Sequence, residues 1–99
     1  MRPIHIANLD KPRPVVILTR EGVRGIMTRV SIAPITSRSK GLPTEVPVGV
    51  RNGLEVGSAV SCDNITTIRT TDIGRQVGWL LPEQEGDLAR AISHAFDLE

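Results

Sequence analysis

Only one stretch of this 99-residue chain carries a helical period. Leu88, Ile92, Ala95 and Phe96 recur at spacings of four, three and one, which puts them on one stripe of a helix near the C-terminus. Pro82 suits the first position of that helix, and Glu83, Glu85 and Asp87 complement the positive end of its dipole. Gly86 weakens the first turn by about 1 kcal/mol relative to alanine. Everything ahead of this segment is written in short apolar runs broken by glycine, proline and asparagine. That division restricts the chain to a mainly β fold: a small antiparallel, barrel-like sheet with one C-terminal α-helix packed on it. Residues 1–99 form a single domain without repeats or linkers.

The expected strands are short. Pro3 to Ala7 alternates Ile4 and Ile6 with other residues, and Val15 to Thr19 opens with a β-branched run suited to a buried strand. Ile26 to Ile35 reads as one long strand after a turn at Glu21–Gly25. Val46, Val48 and Val50 stand at strict period two, and Pro47 among them points to a sheet edge. Asn52-Gly53 is a turn signal, and Ala59 to Ile65 and Val77 to Leu81 complete the set.

Composition removes several classes of function. Trp79 and Phe96 are the only aromatic residues, so the chain has no set of rings for stacking bases. A lone Cys62 excludes an internal disulfide. With His5 and His94 far from it in sequence, it makes no zinc site, so no metal or other cofactor is expected. His5, on an alternating strand, and His94, on the polar side of the helix, read as structural or solvated. The N-terminal segment has no signal-peptide pattern and no run reaches membrane-spanning length, so a cytoplasmic protein is expected. A net charge of +1 hides a split: residues 1–40 hold eight Lys/Arg and two Asp/Glu, residues 41–99 four and nine. Such asymmetry fits either a positive face for a polyanion or two solvated faces of opposite sign.

Two short patterns carry chemistry. In KPRPVVIL, prolines on both sides of Arg13 stiffen an extended approach to a core strand, so the guanidinium has little backbone freedom. In APITSRSKG, Thr36 ends a strand and a basic loop with Ser37, Arg38 and Lys40 follows. An arginine and a hydroxyl converging at strand ends can grip a phosphate, because the guanidinium fork matches its oxygens. Spacing alone favours the plainer reading of a surface arginine and a turn threonine. The GVRG of residues 22–25 matches the bare GxxG of a backbone-clamping loop, but strands rather than helices flank it, so a plain turn is expected.

Four ordered segments together resemble the MazF/PemK family of toxin endoribonucleases, its short mycobacterial members included. They are KPRPVVIL, VSIAPITSRSKGLPTEVPV, GSAVSCDNITTI and GRQVGWLLPEQEGDL, and they cover nearly the whole chain. The resemblance implies an SH3-like barrel with a C-terminal helix, working as a homodimer. It implies metal-independent, sequence-specific cleavage of single-stranded RNA by 2′-OH attack, giving a 2′,3′-cyclic phosphate and a 5′-OH, with inhibition by a cognate MazE-type antitoxin. Carried over residue by residue, the catalytic pair falls on Arg13 and Thr36. RNA contacts fall on Ser37, Arg38, Lys40, Leu42, Asp63 and Asn64. Two departures stand out: the first loop, Asn8 to Pro12, is very short, and Thr66 stands where relatives commonly have an arginine. The alternatives are a CcdB-type gyrase poison, whose Trp-Gly-Ile tail this chain lacks, and a non-catalytic SH3-like binding module.

Overall fold

The computed structural model describes residues 1–98. Val15, Val16 and Ile17 are consecutive and all buried, so the sheet that contains them is covered on both faces. Val16 joins Ile4, Ala33, Ile35 and Leu80 on the face under the C-terminal helix. Val15 and Ile17 point the other way, into a smaller cluster with Ala7, Val30 and Ile32. An unbroken apolar run therefore marks a strand between two core layers, whereas Val46 and Val48 alternate because only one of their faces is buried.

Among the described residues, seven strands and two α-helices make up the fold, with short 3₁₀ turns between them. The strands are β1 (Arg2–Asn8), β2 (Pro12–Ile17), β3 (Arg29–Thr36), β4 (Glu45–Val48), β5 (Ser58–Ser61), β6 (Thr66–Arg69) and β7 (Ile73–Leu80). A single turn of helix, α1 (Glu21–Arg24), links β2 and β3, and α2 (Glu85–Phe96) closes the chain. All pairings are antiparallel, in the order β4-β5-β3-β2-β1-β7, with β6 also on β3. The result is a strongly curved half-barrel with α2 against it, compatible with an SH3-like description. As expected for the strand that holds Pro47, β4 lies at a sheet edge.

β3 is the hub. One of its edges pairs with β2; the other pairs first with β6, through Arg29–Ile32, and then with β5, through Ile35 and Thr36. The chain moves between those two partners through a one-turn 3₁₀ helix at Cys62–Asn64. The β2 ladder ends at Val15 opposite Pro34, where Pro14 and Pro34 have no N–H to continue it. Strand ends thus part at one corner of the barrel.

Several boundaries differ from the sequence reading. Of the turn expected at Glu21–Gly25, Glu21–Arg24 is a turn of helix capped by Gly25, and Ile26 and Met27 are exposed ahead of β3. Val50 continues the apolar period in sequence but lies in a 3₁₀ turn, 77% exposed. The segment Ala59–Ile65 is broken by the turn at Cys62–Asn64, and β6 lacks the apolar signal of a core strand: only Ile68 is even half-buried. In α2, Leu88 and Ala91 are buried while Phe96 is exposed, so the buried stripe is displaced from the expected one. Arg2 ties that helix down, pairing with Glu85 and donating to the Leu18 carbonyl at 2.9 Å.

The turn expected at Asn52-Gly53 is present, with Gly53 at φ 89°. Asn52 and Gln84 are both buried beside it. The Asn52 amide donates to Gln84 Oε1 at 2.7 Å and to the Trp79 carbonyl at 2.9 Å, while Asn52 Oδ1 accepts from the Gly49 N–H at 3.1 Å. Gln84 Oε1 also accepts the Leu81 N–H at 2.8 Å. This plug joins the end of β4, the end of β7 and the start of α2.

Candidate functional site

Continuing the β2–β3 register two residues past Val15 and Pro34 sets Arg13 opposite Thr36. No ladder hydrogen bonds close that gap. A cleft of about 540 Å³ opens there, with Pro34, Ile35 and Thr36 on one side and the 3₁₀ turn that carries Asp63 and Asn64 on another. Arg38, Lys40 and Leu42 also line it, from the loop after β3. Of the eight residues singled out in the sequence, the cleft brings seven together. Ser37 faces a neighbouring cleft instead.

Arg13 meets a carboxylate. Its Nε donates to Asp10 Oδ1 at 2.9 Å and its Nη2 to Oδ2 at 3.1 Å, a bidentate pair. Those hydrogen bonds hold the Asp10 carboxyl down at about 2, and they raise the guanidinium further above its already high value. The pair is exposed, so water screens it and a competing oxyanion can take either oxygen's place. Nothing in the sequence reading marked Asp10. Its signal was the spacing of three residues from Arg13 across a tight Leu9–Pro12 turn.

Thr36 Oγ1 accepts the Arg38 N–H at 3.1 Å. With one lone pair so used, the hydroxyl proton is free to donate into the cleft. The loop beyond it is arched around one acid: Glu45 Oε1 accepts the N–H groups of Lys40 and Leu42, both at 3.0 Å, on either side of Gly41 at φ 69°. Asp63 Oδ2 accepts the Thr44 hydroxyl at 2.6 Å, and Asn64 donates to Ser61 Oγ at 2.8 Å, which leaves the Asn64 carbonyl unused. Thr66 lines the cleft, and Arg69 does not: it is paired with Asp72 at 3.5 Å.

The charge split along the chain does not become a purely positive cleft. Arg13, Arg38 and Lys40 share it with Asp10, Glu45 and Asp63. Cys62, adjacent to this wall, is fully buried, and burial with the nearby Asp63 charge pushes its thiol up to about 11, so it is no nucleophile. His5 Nδ1 donates to the Gly74 carbonyl at 2.9 Å and stands outside the cleft, and His94 is exposed on α2. Among the described residues, no helix is long and apolar enough to cross a membrane.

An antiparallel β half-barrel with a C-terminal helix is the fold this chain shares with solved MazF-type toxins. Residues 4–96 match the family of PemK-like, MazF-like toxins of type II toxin–antitoxin systems, and the chain belongs to that family. It is 62% identical over 99 residues to endoribonuclease MazF3 of Mycobacterium tuberculosis, covering 100% of this chain and 96% of that one. The structure of the Mycobacterium tuberculosis toxin MazF-mt6 matches with a TM-score of 0.97 at 61% identity, over 99% of both chains. At 21% identity, an endoribonuclease in complex with its cognate antitoxin from a mycobacterial species shares the fold, with a TM-score of 0.87 over 98% of this chain and 93% of that one.

Proposed function

We propose that this toxin is an endoribonuclease that cuts single-stranded RNA by turning the substrate's own 2′-hydroxyl on the adjacent phosphorus. The observation that supports the reading is that Arg13 and Thr36 line one open cleft. The 2′-oxygen forms a bond to phosphorus while the bond to the 5′-oxygen breaks, leaving a 2′,3′-cyclic phosphate and a 5′-hydroxyl. Negative charge grows on the two non-bridging oxygens, and the guanidinium fork of Arg13 meets them already oriented. Thr36 adds a hydrogen bond from its free proton.

Three carboxylates line the cleft, and two are held elsewhere: Glu45 by loop amides, Asp63 by Thr44. Asp10 alone is paired with the group that the phosphate itself would engage. When the phosphate takes the fork, Asp10 loses the hydrogen bonds that held its carboxyl low, and its proton affinity rises toward the ordinary carboxylate range. It then accepts the 2′-hydroxyl proton. The departing 5′-oxygen takes a proton from water in the open cleft.

Arg38, Lys40 and the Ser37 hydroxyl grip the flanking backbone. Leu42 lies against a base, and the free Asn64 carbonyl with the second Asp63 oxygen reads base edges. The working form is a cytoplasmic homodimer that needs no metal, and a cognate MazE-type antitoxin silences it by occupying the same cleft. The test is to incubate the purified protein with single-stranded RNA in EDTA, beside a 2′-deoxy control. Cut RNA ending in a cyclic phosphate, with the control intact, is the expected result. Cleavage of the control, or cleavage only after a divalent cation is restored, would sink the mechanism.

A further inference from the structure

We infer that a second cleft, on the other side of Arg13, holds the nucleotide next to the one being cut. The inference rests on the ribonuclease reading above. This cleft has a volume of about 460 Å³ and shares Arg13 and Ile35 with the first. Half-buried Pro14 and Val77 give it an apolar lining, and exposed Lys11, Ser37 and Arg75 give it polar groups.

Its charge balance differs from that of the cleft holding Thr36. Lys11, Arg13 and Arg75 face a single carboxylate, Glu55. Five arginines of the described chain carry ion pairs, whereas Lys11 and Arg75 carry none, so both remain free for an incoming anion. The ridge between the clefts is Pro12-Arg13-Pro14, whose prolines offer no N–H to a phosphate. A strand whose scissile phosphate rests on Arg13 must cross that ridge, and its next phosphate can be gripped only by side chains. Lys11 on the β1–β2 turn and Arg75 on β7 are the ones in place, with the Ser37 hydroxyl just beyond Thr36.

The same features disfavour a peptide here. A peptide that adds a strand needs an open ladder edge. β2 is paired with β1 from Pro12 through Val16, and the opposite edge at Pro14 has no donor. A phosphodiester backbone needs no ladder.

A Lys11→Ala/Arg75→Ala double variant tests the inference, with fluorescence anisotropy against a short mixed-sequence 2′-deoxy oligonucleotide that the enzyme does not cut. Expected is binding about fivefold to tenfold weaker for two exposed charge contacts. The slope of log Kd against log salt should fall by about 1.4, at about 0.7 per phosphate for a single strand. A Lys11→Arg/Arg75→Lys double variant should keep the wild-type slope, which separates lost charge from lost packing. Wild-type protein that cuts RNA beside a double variant of unchanged affinity and slope overturns this inference alone. Wild-type protein that neither cuts nor binds overturns the ribonuclease reading with it. A change of mass by light scattering with an unchanged salt slope assigns the cleft to protein–protein contact and overturns the proposal.

Discussion

The Asn52–Gln84 plug and the Arg13–Asp10 pair are both small networks of polar side chains at strand ends, yet they are built on opposite terms. In the plug both side chains are buried and each is committed to protein partners on three elements. Its hydrogen bonds cannot be traded without stranding a buried amide. In the pair both partners face solvent, and each can be replaced by another ion at little cost. Permanence needs burial and full satisfaction; reactivity needs a partner that a substrate can displace. The two regions therefore separate what holds this fold from what it does.

The sharpest way to break that comparison is at Gly78, packed against the plug. A Cβ there would collide with the Asn52 carbonyl oxygen and crowd Gly53. Gly78→Ala must push two backbone segments apart, at a cost of about 3 kcal/mol or more. For a chain of this size that lowers Tm by more than about 10 °C. Gln84→Ala leaves the Asn52 amide and the Leu81 N–H short of an acceptor, costing about 1–3 kcal/mol. Thermal melts of both variants check these values, and the folded fraction should cut RNA at the wild-type rate.

At the other region the signs reverse. Arg13→Ala should leave Tm within about 1 kcal/mol's worth of the wild type, since exposed ion pairs contribute no more than that. RNA cleavage should fall by about 10²–10³, the usual loss for one charge-stabilising donor. Arg13→Lys should also be slow, because a point charge cannot replace a bidentate fork. An Arg13→Ala protein with wild-type turnover would remove the guanidinium from the mechanism.

Asp10 sharpens the contrast through pH. Its folded-state carboxyl is held near 2, so the free enzyme carries it ionised throughout the working range. kcat/KM, which reports free-enzyme ionisations, should show no acid limb from Asp10 above about pH 4. kcat reports the bound state, in which Arg13 has turned to the phosphate, and its acid limb should lie higher. The linkage to stability has the matching sign: the depressed carboxyl stabilises the fold above its unfolded value, and that contribution is lost as pH falls toward 2. Coincident limbs for kcat and kcat/KM would show that Asp10 keeps its grip on Arg13 during turnover.

How much of this was legible beforehand follows from what each residue says locally. Arg13 between prolines, Thr36 ahead of a basic loop and the C-terminal helix announce themselves through spacing and backbone stiffness. The β-type core showed in Val15–Ile17 because burial on two faces leaves no polar position. Asp10 was silent: an acid in a turn looks solvated until the fold shows that the turn is short enough to return it to Arg13. Ser37 was grouped with Arg38 and Lys40 by adjacency, but neighbours at a strand end point to opposite sides, and it faces the second cleft. Val50 kept the right period past the end of β4, and Phe96 kept it on the last residue of α2, past the end of the buried stripe, which a pattern of apolar residues cannot reveal. Glu45 and β6 depend on partners distant in sequence, and no local rule finds those.

Glu45 stands between the two regions and carries the smallest expected effect. It is half-buried, like a structural residue, but it fastens the loop that carries Arg38, Lys40 and Leu42, like a member of the site. A single carboxylate oxygen holding two amides on either side of Gly41 fixes the curvature of that loop without touching the scissile bond. Glu45→Gln keeps an acceptor oxygen and loses the charge that strengthens both bonds, so stability should drop by only about 1 kcal/mol. Loosening the loop should raise KM for RNA severalfold while kcat holds, the signature of lost ground-state binding. An equal fall in kcat and kcat/KM would instead put Glu45 with Arg13 in the stabilisation of the transition state, and the line between scaffold and site would have to be drawn one residue further out.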